Sequence, residues 1–228
     1  SVKYPRTFQF ILERLSLSKF EGLPLTLFIA IFMANLAFFN ELAESIVNSQ
    51  LLLGIDNSFA QFLFKIRNNT VANSFYYFSL LGSAYVVIPL SIIIITILIR
   101  KRRIASLISL LISLVGIITT DVLGKLYFHR IRPIDYSFYK EVSYSFPSGH
   151  SIVSVAFYGL IFYMIIRHRK KHKVRWTAFA ISFILLLGFS RLYMCVHFLS
   201  DVLAGYSLGL LWLLLSISII EWKSGKST

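Results

Sequence analysis

Six apolar segments follow one another along the chain, and each is long enough to cross the hydrocarbon core of a membrane, which is about 30 Å thick. No long hydrophilic stretch separates them, and 57% of the residues are hydrophobic while only 14% are charged. A soluble chain of this size would need a more polar surface. The sequence therefore predicts an all-α integral membrane protein, a bundle of six transmembrane helices. The predicted spans are residues 23–39, 75–99, 104–123, 151–166, 174–189 and 199–220.

The connection between the first two spans, residues 40–74, contains an amphipathic segment over residues 56–66. Its apolar side chains recur at helical spacing on one face, namely Phe59, Phe62, Leu63 and Ile66. Either Asp56 or Ser58 is placed to cap the start of such a helix. We expect an interfacial helix beside a lipid entrance, and a packing element over the bundle is the equal alternative.

The whole chain, residues 1–228, reads as a single membrane domain with residues 1–22 as a cytoplasmic amino-terminal segment. Its first residue is Ser1 rather than methionine, so a processed chain and a piece of a longer chain both remain open. The sequence indicates no particular protein partner.

The chain is strongly basic, with a formal net charge of +13. Nucleic-acid-binding proteins carry such charge on a soluble face, whereas here the cations concentrate in the short connections between spans, as in cytoplasmic loops. We therefore predict no nucleic-acid partner, cytoplasmic termini and a location in the cell (inner) membrane. Sixteen of the 23 Lys and Arg residues fall on the predicted cytoplasmic side: Lys3, Arg6, Arg14, Lys19, Arg100, Lys101, Arg102, Arg103, Arg167, Arg169, Lys170, Lys171, Lys173, Arg175, Lys223 and Lys226.

Three polar clusters stand at the opposite, extracytoplasmic (periplasmic) ends of the third to sixth spans. They are the stretch from Lys125 to Arg132 and Pro133, the tetrapeptide Pro147-Ser148-Gly149-His150, and the stretch from Arg191 through His197 to Asp201. Because all three open on the same side of one bundle, we expect them to form one site.

The residue types in these clusters suit a phosphate ester. Lys125, Arg132 and Arg191 place three cations where a phosphoryl group can be clamped. Ser148 is placed to cap the following apolar helix, and Gly149 lets backbone amides approach an anion at the positive end of that helix. Such fixed donors stabilise charge on a transferring phosphoryl group.

The two histidines and the carboxylate supply the remaining chemistry. His197 and Asp201 are four residues apart, so on a helix they share a face, and a carboxylate on one imidazole nitrogen raises the basicity of the other. This is what a histidine nucleophile requires. His150 is then available to protonate a leaving alkoxide and later to activate water.

Other interpretations of these residues remain open. A lone histidine at a helix end is usually structural, Asp201 can serve as a cap, and Lys125 or Arg130 can anchor at lipid headgroups. His150, His197 and Asp201 are also possible zinc ligands, but the three neighbouring cations favour an anion over a divalent metal ion. We therefore predict neither a metal nor a cofactor.

Four other residues of interest lie near or within the clusters, and they are Asp121, His129, Arg130 and the acidic Glu141 beside Lys140. Asp121 lies one helical turn before Lys125 and is placed to hold it. His129 and Arg130 lie within the first cluster and are possible substrate contacts. In the loop before Pro147, the pair Lys140-Glu141 can influence the choice of lipid headgroup.

At these residues the sequence resembles the type 2 phosphatidic acid phosphatase superfamily. The family pattern is a lysine, six residues and Arg-Pro, then Pro-Ser-Gly-His, then Ser-Arg, five residues, His, three residues and Asp. This chain carries it at Lys125 with Arg132-Pro133, at Pro147 to His150, and at Ser190-Arg191 with His197 and Asp201.

The resemblance implies a metal-independent reaction with a phosphohistidine intermediate on His197, which Asp201 orients while His150 acts as acid and base. It also implies phosphate binding by Lys125, Arg132, Ser148, Gly149 and Arg191. With six spans, the chain looks most like the membrane lipid phosphatases of the phosphatidylglycerophosphate phosphatase B and undecaprenyl pyrophosphate phosphatase type. Its amino-terminal stretch is similar to chains in which such a phosphatase follows a DedA-type membrane domain.

The expected substrate is a membrane lipid phosphate: undecaprenyl pyrophosphate, phosphatidylglycerophosphate or phosphatidic acid. Two other functions stay open. A lipid phosphotransferase would carry the same motifs, and a transporter of anionic lipids would keep the anion site without turnover. The complete acid–base set of His150, His197 and Asp201 favours an enzyme over a transporter.

Overall fold

A computed structural model of the chain describes residues 23–169 and 171–225. Within these residues every regular element is a helix, and six helices are long and apolar enough to cross a membrane. The prediction of an all-α protein with six spans is thereby confirmed. The predicted cytoplasmic segment, residues 1–22, lies outside the described residues.

Two of the six spans, the second and the fourth, are each built from two helices. The second span consists of two helices joined by a 3₁₀ turn at Leu80–Gly82, and the fourth consists of two helices joined by a π-helical segment at Ser154–Tyr158. In chain order the helices are α1 (Leu23–Asn48), α2 (Gln50–Ile66), α3 (Asn69–Ser79), α4 (Ala84–Arg100), α5 (Ile104–Phe128), α6 (Gly149–Val153), α7 (Gly159–Arg167), α8 (Lys173–Tyr193) and α9 (Leu199–Gly225).

The first helix, α1, continues to Asn48, well beyond its predicted end. Leu42 and Ile46 lie one turn apart in this extension and pack against buried Phe146 and Ala204. The helix therefore outlasts the apolar run that defined the predicted span, because its last turns are stabilised by packing on the protein.

The predicted helix between the first and second spans is present as α2, but it begins earlier, at Gln50. Ser49 caps it, since its hydroxyl accepts a backbone N–H of the first turn. The prediction that Asp56 or Ser58 caps this helix was wrong. Asp56 lies inside α2 and is almost completely buried. Its carboxylate binds Arg130 and the backbone of Ser200 and does not cap the helix.

The bundle is organised around α9, which packs against α1, α5 and α6. Large apolar side chains from five helical segments fill its centre, including Leu110, Ile152, Phe157, Leu160 and Leu187. The α5–α6 loop and the α8–α9 connection meet at one end of this core, where the backbone N–H of Phe138 donates to the carbonyl of Met194 at 2.9 Å. The site residues lie at this end.

Candidate active site

The structure brings the three sequence clusters together at one mouth of the bundle. The backbone N–H of Ser148, just before α6, donates to the carbonyl of Asp201 in the first turn of α9 at 3.0 Å. The guanidinium of Arg132, which follows α5, donates to the carbonyl of Val196 at 2.6 Å. These bonds join the ends of the third, fourth and sixth spans, which the sequence places far apart.

A cavity of about 570 Å³ opens at this mouth and runs between α4 and α5. Its polar lining lies at the mouth and includes Lys125, Arg132, Glu141, His150 and His197. Its deeper walls are mostly apolar and include Val87, Ile88, Ile92, Leu114 and Ile117. The cavity therefore joins a charged end to a space suited to hydrocarbon.

His197 lies in the connection just before α9 and is only 3% exposed. Its Nε2 is 3.1 Å from Nη1 of Arg132, and a guanidinium has only donors, so Nε2 is the unprotonated acceptor. Nδ1 then carries the proton and lies 3.6 Å from the carboxylate of Asp201. Burial, reinforced by the charges of Arg132 and Arg191, holds the pKa of His197 well below its usual range. These surroundings favour the neutral imidazole, which is the form that can act as a nucleophile.

Asp201 lies in the first turn of α9 and is completely buried. One carboxylate oxygen accepts the backbone N–H of Phe198 at 2.9 Å, and the other accepts from Arg130 at 2.6 Å. The prediction that His197 and Asp201 lie on one face of a helix was only partly correct, because His197 precedes the first residue of α9. The side chains still approach each other, at a distance longer than a direct hydrogen bond.

His150 lies at the start of α6 and lines the cavity with His197. The 3₁₀ turn of the second span packs directly on its ring. A Cβ at Gly82 would stand 2.7 Å from Cδ2 of His150, which is closer than real contacts allow. Glycine at this position therefore permits the turn to hold the His150 ring in place.

The three predicted cations converge, each with its own support. Arg132 donates to the carbonyl of Ser143 at 2.7 Å, and Arg191 donates to the hydroxyl of Tyr139 at 2.6 Å. Lys125 pairs with Asp121 at 2.8 Å, so the predicted contact between these two residues forms. Of the three cations, Lys125 and Arg132 line the cavity itself.

Glu141 makes more contacts in the site than its predicted influence on headgroup choice implied. Its carboxylate pairs with Arg132 at 2.6 Å and also with Arg191, and it accepts from Tyr139 at 2.9 Å. Burial works to raise the pKa of Glu141, but the two guanidinium charges outweigh it and lower the pKa to about 2. Burial beside this carboxylate raises the pKa of Tyr139 to about 12. The only sequence signal was an acidic residue in a loop that faces several cations.

The helix start at Ser148 and Gly149 differs in detail from the prediction. Ser148 occupies the capping position, but its side chain makes no capping bond and instead accepts from the hydroxyl of Ser151 at 3.0 Å. Gly149 lines the cavity, and a Cβ there would stand 2.6 Å from a carboxylate oxygen of Asp121. Glycine therefore lets α6 approach α5 closely at the site.

The two possible substrate contacts have other surroundings in the structure. Arg130 is buried between two carboxylates, and His129 is exposed, with its ring 4.7 Å from that of Tyr144. Neither residue lines the cavity described above.

Across the residues that the structure describes, no group of three His, Cys, Asp or Glu side chains is placed to hold a metal ion. The polar end of the cavity instead brings two cations, Lys125 and Arg132, beside two histidines, and each cation is paired with a carboxylate, Asp121 or Glu141. An anion that reaches these cations would exchange with the carboxylates.

The comparison with known families agrees with this fold and site. The PAP2 superfamily profile matches residues 104–224, a segment that contains all three clusters. The chain therefore belongs to the PAP2 superfamily, and the predicted resemblance is confirmed.

Two of the proteins to which the chain is similar are phosphatases by name. The chain is 42% identical to phosphatidylglycerophosphatase B of Bacillus subtilis (strain 168) over 90 residues. The aligned segment is 38% of this chain and only 44% of that protein's length. The crystal structure of the transmembrane PAP2-type phosphatidylglycerolphosphate phosphatase from Bacillus subtilis matches with a TM-score of 0.75 and 31% identity, over 82% of this chain and 94% of that one. Aquifex aeolicus LpxE matches with a TM-score of 0.57 and 22% identity, over 70% and 92% respectively, and supports the fold alone.

Proposed function

We propose that the protein is a multi-pass membrane enzyme that hydrolyses a lipid phosphate through a phosphohistidine intermediate on His197, without a metal ion. The observation that carries this proposal is the position of Nε2 of His197, which faces Arg132 at 3.1 Å in a cavity that is charged at one end and apolar along its length. A phosphorylated headgroup and a hydrocarbon tail fit these two parts.

In the first half of the reaction, Nε2 of His197 attacks phosphorus and the bond from phosphorus to the leaving oxygen breaks. His150 gives its proton to that oxygen. Asp201 stabilises the imidazole as it gains positive charge, as the carboxylate does in other histidine-based triads. Lys125, Arg132 and Arg191, with the hydroxyl of Ser148 and the amide of Gly149, balance the charge on the phosphoryl oxygens.

In the second half, His150 takes a proton from water as the water oxygen attacks phosphorus. The P–N bond then breaks, which releases phosphate and returns neutral His197. Two steps of this kind replace one difficult displacement. His150 alternates between acid and base, so one residue serves both halves.

The substrate class follows from the chemistry of the cavity and the names of the relatives. Phosphatidylglycerophosphate is the first candidate, and undecaprenyl pyrophosphate and phosphatidic acid share its anionic head and long tails. The lipid enters sideways from the bilayer, with its tails along α4 and α5. A transferase remains the alternative, because the same phosphoenzyme can pass its phosphoryl group to an acceptor other than water.

We place both termini in the cytoplasm of the cell (inner) membrane and the site at the extracytoplasmic face, on the distribution of Lys and Arg. Exposed Lys140 and Arg102 lie in loops on opposite sides of the bundle. A membrane-impermeant thiol reagent applied to the outer face should label Lys140→Cys and spare Arg102→Cys. The native Cys195 is buried and gives little background. The reverse pattern would overturn this orientation.

The function is tested by phosphate release from the three lipids, with purified protein in detergent and a chelator present. We expect release that survives the chelator and disappears in His197→Ala. His168→Ala is the matched control, because His168 contacts Arg103 on the far side of the bundle. Labelled phosphate should stay on the protein in His150→Ala, which slows both halves. Absence of release from every lipid by folded protein would refute the hydrolase, and appearance of the phosphoryl group on an added acceptor without free phosphate would favour the transferase.

A further inference from the structure

Asp56 is a buried acid of α2 that the sequence clusters do not include. It is only 1% exposed, and its carboxylate accepts from the Arg130 guanidinium at 2.6 Å. The same carboxylate accepts the backbone N–H of Ser200 at 3.0 Å and its hydroxyl at 2.5 Å. A carboxylate is costly to bury, so this degree of pairing requires an explanation beyond helix formation.

Arg130 links Asp56 to the site. Its Nη2 donates to Asp56, while its Nη1 donates to Asp201 at 2.6 Å and to the hydroxyl of Ser200 at 2.6 Å. The guanidinium also lies over the ring of Phe198, 4.6 Å from its centre. One planar cation therefore holds two buried carboxylates in fixed positions, as the fork of an arginine allows.

The charges in this group determine what Asp201 can do for His197. If Arg130 were paired with Asp201 alone, its positive charge would cancel the carboxylate that faces Nδ1 of His197 at 3.6 Å. With Asp56 on its other side, the guanidinium is shared, and the three side chains keep a net charge of −1. Because these groups are buried, that charge acts on the imidazole with little screening.

We propose that Asp56 is a positioning residue for the reaction: through Arg130 it leaves Asp201 with the negative charge and the orientation that it needs to support His197. This inference rests on the proposed function. Neither Asp56 nor Arg130 lines the substrate cavity described above, so Asp56 acts on the phosphoryl-transfer step and not on substrate binding. The helix α2 then contributes to catalysis, since it supplies the negative charge of Asp56.

The test compares Asp56→Asn with the wild-type protein in detergent. Asparagine keeps the shape of the side chain and removes its charge. We expect kcat per folded molecule to fall by about 10- to 100-fold, less than loss of a carboxylate in direct contact with a catalytic histidine. The inhibition constant of inorganic phosphate should stay within about twofold, because the phosphate clamp is intact. The rate at which labelled phosphate appears on His197 should fall with kcat.

Glu221→Gln is the matched control, because Glu221 pairs with Arg167 at 3.3 Å, away from the site, and its loss should leave kcat unchanged. An unchanged kcat in Asp56→Asn, or a fall matched by an equal loss of phosphate affinity, would overturn the inference. If Asp56→Asn does not fold, Arg130→Lys provides the second test. A single ammonium cannot hold both carboxylates as the guanidinium does, so kcat should fall at constant phosphate affinity, and an unchanged kcat overturns the inference.

Failure of this inference can be distinguished from failure of the proposed function. A wild-type protein without phosphatase activity, or activity that persists in His197→Ala, refutes the histidine mechanism itself. An active wild type that depends on His197, together with an equally active Asp56→Asn, refutes only the role of Asp56.

Discussion

Glu141 occupies the space between the guanidinium groups of Arg132 and Arg191, where phosphoryl oxygens would bind. A phosphate that binds both groups must displace this carboxylate. We therefore expect Glu141→Gln to bind inorganic phosphate about fivefold more tightly, a gain of about 1 kcal/mol from removal of a competing charge. The measurement is the inhibition constant of phosphate in the lipid phosphatase assay.

The neighbouring Lys140 provides the control for this prediction. It is exposed and outside the cavity lining, so Lys140→Gln should leave the inhibition constant unchanged. Weaker phosphate inhibition in Glu141→Gln would contradict the prediction. It would indicate that Glu141 holds the two guanidinium groups in position for the phosphate.

The same carboxylate makes stability depend on pH. Its pKa is about 2 in the folded protein against 4.5 for an ordinary Glu, so between these values the unfolded chain binds the proton more readily. Its stabilising contribution is fully present above about pH 4.5 and is lost as the pH falls towards 2. The thermal midpoint of the wild type should therefore fall more steeply over this range than that of Glu141→Gln. Parallel curves would show that the pairing contributes nothing to stability.

The residues that the sequence predicted for the site and those that only the structure points to differ in a physical way. Lys125, His150 and His197 lie at helix ends, so the order and direction of the spans suffice to bring them together. Glu141 belongs to an aperiodic loop, and Asp56 meets Arg130 across 74 positions of sequence. Neither partner follows from a local pattern, because each depends on how the loop and α2 fold over the bundle.

Among the helices, the break in the second span is the feature most closely tied to the site. The 3₁₀ turn Leu80–Gly82 replaces α-helix at the point where the span passes the His150 ring. We expect Gly82→Ala to displace that ring and lower kcat by about tenfold or more, because a small misplacement of a catalytic group is costly. Steady-state kinetics with a lipid phosphate would measure the effect.

Gly54→Ala is the control for that substitution, since a Cβ at Gly54 in α2 meets nothing within 4 Å. Alanine is also a better helix former than glycine, so the thermal midpoint of this variant should not fall. Equal kcat in Gly82→Ala and wild type would show that the His150 ring tolerates the added methyl group.

The boundaries of the helices show the limit of prediction from hydropathy. All six spans were found from their apolar runs, because a bilayer requires such runs whatever the fold. The extension of α1 to Asn48 and the early start of α2 at Gln50 were not found. Both depend on packing and capping outside the apolar core, by Leu42 and Ile46 in one case and by Ser49 in the other.

In the whole molecule, the second, third and fourth spans line the cavity that joins the charged mouth to an apolar space between α4 and α5. The polar end alone would suit any phosphate ester, including a soluble one. The apolar length between α4 and α5 is the feature that supports the proposal of a lipid substrate. A bulky side chain in that part of the cavity should therefore slow the turnover of a lipid phosphate and leave the turnover of a water-soluble phosphate ester intact.

Ser91 and Thr96 offer a matched pair for this experiment. Both are hydroxyl residues of α4 that donate to the carbonyl one turn earlier, but Ser91 is buried in the cavity wall and Thr96 is exposed. We expect Ser91→Phe to lower the turnover of a long-chain lipid phosphate by about tenfold, because a ring there displaces the tail and with it the headgroup. Turnover of a water-soluble phosphate ester should be retained, which also shows that the variant folds. Thr96→Phe should leave both rates unchanged. Equal losses of lipid and soluble-ester turnover in Ser91→Phe would mean that the tails lie elsewhere and that the added ring disturbs the catalytic end itself.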